Sequence, residues 1–380
     1  MTRILILHAS LGSGHVSAAR ALAAAFGELG EQDVHMADML DYASSVIGSS
    51  LKTWYSRISE HTPHIYRMIY QLSDVRGSET VDEVASLNLL AGDFQRPFYG
   101  RLIGYIRELA PDVFVCPVPF AANVIQSLKQ RGELTQPNYV VMTDFMYHRS
   151  WINAGVTGYF VASDLMYEVL VAWGIDADTV SVTGIPVKLE VMQPKSQEEM
   201  RQKHGFPEGP VVTLFGGGIL PEDMQPMVSQ LVERSPTPMS LVAVAGRNAG
   251  MLDALEGVEG NAQAHLRKLG YIDYVDDLVA ASDVVITKSG GLITSEVLAR
   301  GTPMVIINPI PGQEEWNADF VASCGAGVQL RLPEMVPPTV FALLDDPKRL
   351  AIMRRNAQVY GRPRAALDIA EQILNDVRDG

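Results

Sequence analysis

The sequence predicts two doubly wound α/β domains, each a parallel sheet with helices on both faces. Three observations carry the prediction. The chain has 380 residues, beyond the roughly 250–300 at which single cores stop growing. Short β-rich apolar runs alternate throughout with longer helical patterns, the signature of crossover units. The runs fall into two groups of similar size on either side of a loop-rich stretch, which calls for two sheets rather than one large one.

In the first half the predicted strands are 3–8, 33–36, 113–116, 139–142, 159–161 and 180–182. Ile4 to Leu7 is a continuous apolar run, too short for a secretory signal and suited to a buried strand. An alanine-rich helix is predicted over 17–27. A hinge is expected near 185–210, where Gly184-Ile185-Pro186 ends a strand, a polar helix occupies 197–204, and Gly205-Phe206-Pro207-Glu208-Gly209-Pro210 is a loop signal. The second set of strands is 211–215, 240–244, 264–268, 284–287, 303–306 and 327–329, with a helix over 226–234. The domains are therefore placed at 1–190 and 191–359.

Charge and cysteine usage narrow the function. Thirty basic against 44 acidic side chains give a net charge of −14, which argues against a general nucleic-acid binder. Residues 1–190 and 191–380 each carry −7 (13 basic, 20 acidic; 17 basic, 24 acidic), so neither end is a charged tail. Cys116 and Cys324 stand far apart without metal-ligand spacing, which suits a reducing compartment. No apolar run approaches the ~20 residues that span a bilayer. A cytoplasmic protein is expected. The one Asp-x-Asp, Asp176 and Asp178, reads as a turn after Gly174-Ile175 rather than a Mg²⁺ site, and no metal is expected.

Three glycine-rich turns follow strands. The first, Gly12-Ser13-Gly14-His15, is neither a P-loop nor a full GxGxxG, since Ser17 occupies the third glycine position. It offers free N–H groups at a helix start. His15 is either a general base at the lip of the sheet or a helix-capping histidine. The second, Gly216-Gly217-Gly218, reads as a backbone nest for an anion or as a tight strand-to-helix connection. The third, Ser289-Gly290-Gly291, sets a helix start against an open site, with Glu296 about one turn inside. A diphosphate on the glycines and a ribose on Glu296 is the functional reading; a solvated helix carboxylate is the plain one. Beyond the next strand, Asn308 to Asn317 carries amides and carboxylates, including Gln313 and Glu314, that suit sugar hydroxyls or a helix cap.

Taken together these residues resemble the monogalactosyldiacylglycerol synthases and bacterial diacylglycerol glucosyltransferases of glycosyltransferase family 28. The N-terminal resemblance runs through Ser10 to His15, Thr143-Asp144-Phe145 with His148 and Trp151, and Val182 to Val187. The C-terminal one runs through Gly246-Arg247-Asn248, Gly270-Tyr271, Asp283, Thr287 to Gly291, Ser295-Glu296 and Pro309 to Glu314 with Asn317. The resemblance implies a GT-B fold, two Rossmann-like domains facing a cleft. It also implies that a C-terminal helix, 360–380, packs back on the first domain. It implies an inverting, metal-independent transfer of a hexose from a UDP-sugar to diacylglycerol, with no cofactor.

Carried over residue by residue, His15 deprotonates the acceptor. Gly216, Gly217, Gly218, Ser289, Gly290 and Gly291 border the diphosphate, Tyr271 and Ile272 flank the uracil, Glu296 holds the ribose, and Gln313 and Glu314 meet the sugar. Arg247 and Asn248 belong to the donor side. Gly12, Ser13, Gly14, Asp144, His148, Trp151 and Pro186 belong to the acceptor side. Gly290-Gly291, where the plant galactosyl enzymes have Gly-Pro, tilts the donor towards UDP-glucose.

An acidic chain must still reach a lipid. Residues 50–76 place apolar and aromatic residues at helical spacing with Lys52, Arg57, Arg67 and Arg76 against Glu60 and Asp74. Lys52, Trp54, Tyr55, Arg57 and Arg67 are the expected contacts to an anionic leaflet, giving peripheral attachment at the inner face of the cell membrane. The alternative is a helical pair packed on the first sheet. Two rival functions keep the donor: transfer to another lipid acceptor, such as a lipid-linked peptidoglycan precursor or hydroxylated carotenoid, and a UDP-sugar-binding regulatory protein.

Overall fold

The structure, a computed structural model, describes residues 2–10, 12, 14–43, 80–310 and 312–379. Ser13 and the five expected membrane contacts, Lys52, Trp54, Tyr55, Arg57 and Arg67, lie outside the described residues. The chain divides into two compact units, Met1–Leu189 with Arg364–Gly380, and Glu190–Pro363.

In chain order the first unit holds β1 (Ile4–His8), α1 (Gly14–Glu28), β2 (Val34–Asp38), α2 (Met39–Tyr42), α3 (Val81–Gln95), α4 (Gly100–Leu109), β3 (Val113–Cys116), α5 (Pro119–Gln130), β4 (Asn138–Val141), β5 (Gly158–Val161), α6 (Asp164–Ala172) and β6 (Val180–Val182). The strands form one parallel sheet in the order β2-β1-β3-β4-β5-β6. Both faces are covered, so β1, β3, β4 and β5 are buried along their whole length, as apolar runs without alternation require. On α1 the buried residues are mostly alanines with Leu22 and Phe26. The small side chains let the helix lie close to the sheet.

The second unit holds α7 (Gln197–Lys203), β7 (Val211–Phe215), α8 (Pro221–Glu233), β8 (Met239–Val244), α9 (Ala249–Ala254), β9 (Ala264–Leu269), α10 (Val275–Ala281), β10 (Val284–Thr287), α11 (Gly291–Ala299), β11 (Met304–Ile307), α12 (Gln313–Ser323), β12 (Gly327–Leu330), α13 (Val336–Leu344) and α14 (Pro347–Tyr360). Its parallel sheet has the order β12-β11-β10-β7-β8-β9. The last helix, α15 (Ala365–Asp379), belongs to the first unit and packs on α1. It is tied to that sheet by Tyr139 Oη, which donates to Asp376 at 3.1 Å, and by Gln372 Nε2, which donates to Ser181 Oγ at 2.8 Å.

All twelve strands lie within two residues of their predicted bounds. Helix starts differ more. α1 begins at Gly14, so the predicted turn is already its first turn and carries His15 inside it. α8 begins at Pro221 and contains Pro226, which the sequence pattern took for the start. Pro221 at the first turn, with Glu222 and Asp223 beside the positive helix end, outweighs the one backbone bond that Pro226 removes.

Strand order locates the ligand-binding ends. In the first sheet the chain steps from β1 to β2 on one side, then crosses to β3 on the other, so the direction reverses between β1 and β3. In the second sheet the reversal lies between β7 and β10. At such points the connections leave in opposite directions and open a crevice at the carboxyl ends of the two strands.

An ion network secures the segment entering the second unit. Arg300 donates through Nε and Nη2 to Asp276, both at 2.5 Å, and reaches the backbone carbonyls of Glu190 and Gln193. Asp277 accepts from Lys195, Lys203 and His204. Burial works against its charge, but those hydrogen bonds prevail and hold its carboxyl well below the ordinary carboxylate range.

Candidate active site

At the first reversal point His15, in the opening turn of α1, lies 2.9 Å through Nδ1 from the backbone oxygen of Pro117, which follows β3. A carbonyl only accepts, so Nδ1 carries the proton. Nε2 is then the basic nitrogen. Thr143, just past β4, places its Oγ1 3.3 Å from the same Nδ1. Three strand ends thus converge on one imidazole and select its tautomer. Burial lowers the His15 pKa from 6.5; the Pro117 carbonyl pulls the other way, and nearby His8 adds to the lowering. The ring is neutral at physiological pH.

His8 ends β1 and is buried, with its own pKa lowered by burial against the raising effect of Asp38. Asp38, at the end of β2, receives the backbone N–H groups of Ser10 (3.3 Å) and Leu40 (3.0 Å), which shapes the chain leaving β1. Gly12 has φ +88°, a left-handed turn that glycine adopts without strain. Gly14 opens α1.

The other acceptor-side residues follow β4 and β6. Asp144 and His148 are buried. His148 Nδ1 accepts from Ser150 N at 3.2 Å and caps the short turn Arg149–Trp151. Trp151 is 2% exposed and packs as core. The turn is tied to α3 by Asn88 Nδ2, which donates to the carbonyls of Arg149 (2.8 Å) and Ile152 (2.6 Å). Pro186 is buried just past β6. Of this stretch it is Thr143 that touches His15. Asp176 caps the turn Ala177–Thr179 by accepting from Asp178 N at 3.1 Å.

The second unit supplies the glycine loops at its own reversal point. Gly216 donates to Val244 O at 2.8 Å, and a Cβ there would meet the Met224 sulfur at 2.8 Å, so a larger residue would have to displace Met224. Gly217 has open space on its Cβ side, and Gly218 has φ +75°. Across the crevice Gly290 caps α11 and Gly291 begins it. The half-buried Lys288 lies between the two loops: a Cβ on Gly218 would stand 3.3 Å from its Cδ and 3.6 Å from its Nζ. Ser289 is fully buried, its hydroxyl donating to Glu314 O at 2.6 Å, while its carbonyl accepts from Asn317 Nδ2 at 2.9 Å. Ser289 therefore locks α12 to the loop, leaving backbone rather than hydroxyl for a ligand.

The Glu314 carboxylate accepts from Ile310 N at 2.7 Å. Burial raises its pKa, opposed by Lys288 and that hydrogen bond. Gln313 opens α12 after Gly312, whose φ is +90°, and Glu296 is half-buried on α11. At the ends of β8 and β9 the Arg247 guanidinium lies 4.4 Å over the exposed ring of Tyr271. Ile272 follows, half-buried, and the Asn248 side chain caps α9 by accepting from Met251 N at 3.1 Å.

Residues 15–187 match the monogalactosyldiacylglycerol (MGDG) synthase family, and residues 196–360 the glycosyl transferases group 1. A processive diacylglycerol beta-glucosyltransferase of Bacillus licheniformis is 28% identical, covering 93% of this chain and 89% of the relative. One of Bacillus subtilis is 27% identical, covering 98% and 95%. The chain is similar over nearly its whole length to the diacylglycerol glucosyltransferases, and residues 15–187 to the monogalactosyldiacylglycerol synthase family. It is a glycosyltransferase of the GT-B class. The fold is shared with Acinetobacter baumannii MurG, TM-score 0.61 and 16% identity over 98% of this chain and 99% of that one. HepE of Anabaena, solved with UDP and glucose, gives TM-score 0.54 and 14% identity over the full length of both chains.

Two contributors to this glycosyltransferase site receive no role from the sequence. Pro117 acts through its carbonyl, which leaves no trace in residue type. Thr143 stands 128 positions from His15, and only the pairing of β1 with β3 and β3 with β4 brings them together.

Proposed function

We propose that this enzyme transfers glucose from UDP-glucose to diacylglycerol, with inversion at the anomeric carbon. The observation that carries the mechanism is the His15 tautomer. A ring that donates Nδ1–H to a fixed carbonyl keeps Nε2 as the acceptor for a substrate hydroxyl proton, and its lowered pKa keeps it unprotonated. In the reading offered here the acceptor oxygen attacks C1 as its proton passes to Nε2. The bond from C1 to the diphosphate oxygen breaks, and its electron pair leaves with UDP.

The backbone N–H groups at Gly217 and Gly218 and at the start of α11 suit the charge that develops on the diphosphate. Glu296 suits the ribose hydroxyls, the exposed ring of Tyr271 with Ile272 the uracil, and Gln313 with Glu314 the hexose. The reading uses no metal ion. No helix among the described residues is long and apolar enough to cross a membrane, and a lipid acceptor supports peripheral attachment at the inner face of the cell membrane.

The test is incubation with UDP-glucose or UDP-galactose, diacylglycerol vesicles and excess EDTA, with products read by mass and anomeric NMR. A β-glucosyl diacylglycerol is expected, made at an unchanged rate in the chelator. Transfer to a different lipid alcohol in an acceptor panel, with none to diacylglycerol, overturns the acceptor. Failure of the chain to float with anionic vesicles at either low or high salt overturns the attachment.

A further inference from the structure

From the position of one cation at the second reversal point we infer that Lys288 is a catalytic residue, its ammonium pairing with the β-phosphate of a nucleoside-diphosphate sugar and with the charge that phosphate gains on departure. The inference rests on the donor reading above and goes beyond it by naming the residue that receives the leaving-group charge.

Four observations converge. Lys288 follows β10 directly, so its backbone is held at the crevice end of a buried strand. Its side chain lies beside Gly218, where a methyl group would crowd Cδ at 3.3 Å and touch Nζ at 3.6 Å. The left-handed Gly218 lies beside the lysine and α11 starts three residues after it, and a glycine bend and a helix start are both backbone features that suit negative charge. Among the described residues no hydrogen bond or ion pair engages the ammonium; Glu314 and Asp223 feel its field, while Glu314 is spent on Ile310 N and Asp223 on Asn308 Nδ2 at 2.6 Å. A half-buried cation facing a glycine bend, with its acidic neighbours otherwise engaged, is built for an anion that comes and goes.

The balance is simple. The C1–O bond breaks with its electron pair staying on the β-phosphate oxygen, the acceptor oxygen bonds to C1, and the acceptor proton moves to His15 Nε2. Lys288 keeps its proton throughout. Helix N-terminus and ammonium together supply charge stabilisation of the kind that preorganised sites use.

The experiment is calorimetric binding of UDP and UMP to the full chain and to Lys288→Gln, Lys288→Met and Lys288→Arg, with kcat and KM for each. Gln and Met are expected to weaken UDP by roughly ten- to a hundredfold, the range of a lost charge-assisted hydrogen bond, with UMP changed by less than about threefold. They should lower kcat while the KM for diacylglycerol stays put, and Arg should recover much of both. Equal weakening of UDP and UMP, or unchanged UDP binding with unchanged kcat, overturns the assignment. If the wild-type chain binds neither nucleotide, the donor reading itself fails. A thermal melt of each variant separates lost charge from lost fold, because Gln and Met would have to fail alike at the stability level for packing to explain both.

Discussion

His15→Asn isolates the chemistry of the imidazole from its structural role. Asparagine carries an N–H at the same branch as Nδ1, so it can keep donating to the Pro117 carbonyl that His15 meets at 2.9 Å, while the Nε2 lone pair disappears. General-base catalysis contributes roughly 10²–10⁴ in rate, or about 2.7–5.5 kcal/mol of barrier. The kcat of His15→Asn should fall by that factor with its fold intact. His15→Ala loses the same rate and also leaves a carbonyl without its donor, which costs about 1–3 kcal/mol in stability. Transfer of radiolabelled glucose to diacylglycerol vesicles, followed from about pH 5 to 8, adds a second reading. Catalysis needs the neutral ring, and burial holds the His15 pKa below 6.5, so the wild-type rate should show an acid limb whose midpoint lies below 6.5. That limb should vanish from the residual rate of His15→Asn. Retention of rate within about threefold of wild type, or an acid limb with its midpoint above 6.5, would show that Nε2 is not the base.

Gly218→Ala should destabilise the chain by roughly 1–2 kcal/mol, because φ is +75° and the new methyl reaches the Lys288 stem; UDP affinity in calorimetry should drop with it, and an unchanged melt would contradict the strained turn. Arg300→Ala removes the bidentate partner of a buried Asp276, which keeps Lys195 at 2.6 Å, and should cost about 1.5–3 kcal/mol in urea unfolding, a value below about 0.5 kcal/mol being the contrary result. Stability should also respond to acid. His8 and His15 have folded pKa values below 6.5, so the unfolded chain binds more protons under that pH, and unfolding free energy should decline as pH falls from 6.5; a second decline should follow below about 3.8, where the unfolded chain protonates Asp277 and the folded one keeps it charged. Denaturant midpoints across that range that do not move would refute the sign.

Much of this molecule is legible in residue order alone. The eight inner strands are buried runs because both sheet faces are covered, and such runs mark themselves without alternation. Gly216 and Gly218 announce backbone approach because a Cβ on the first meets Met224 and the second takes a left-handed bend. Helix starts are harder: Pro226 looks like a beginning and is an interior residue, since its lost bond is offset by the better first turn at Pro221. Ser289 and Asn248 look like ligand contacts by residue type, yet the hydroxyl and the amide oxygen are engaged by Glu314 O and Met251 N. Polar side chains at loop ends serve structure and ligand with the same atoms, and residue type does not say which.

The amino-acid order alone determined the strand–helix alternation, the glycine loops and the histidine beside one of them, because periodicity and backbone freedom are local properties. Tertiary structure decided which nitrogen of that histidine is basic, by bringing the Pro117 carbonyl and Thr143 to it from other strands. It likewise decided that Lys288 rests against Gly218, since strand order sets which loops share a reversal point. Those are contacts between residues distant in sequence, and strand pairing creates them.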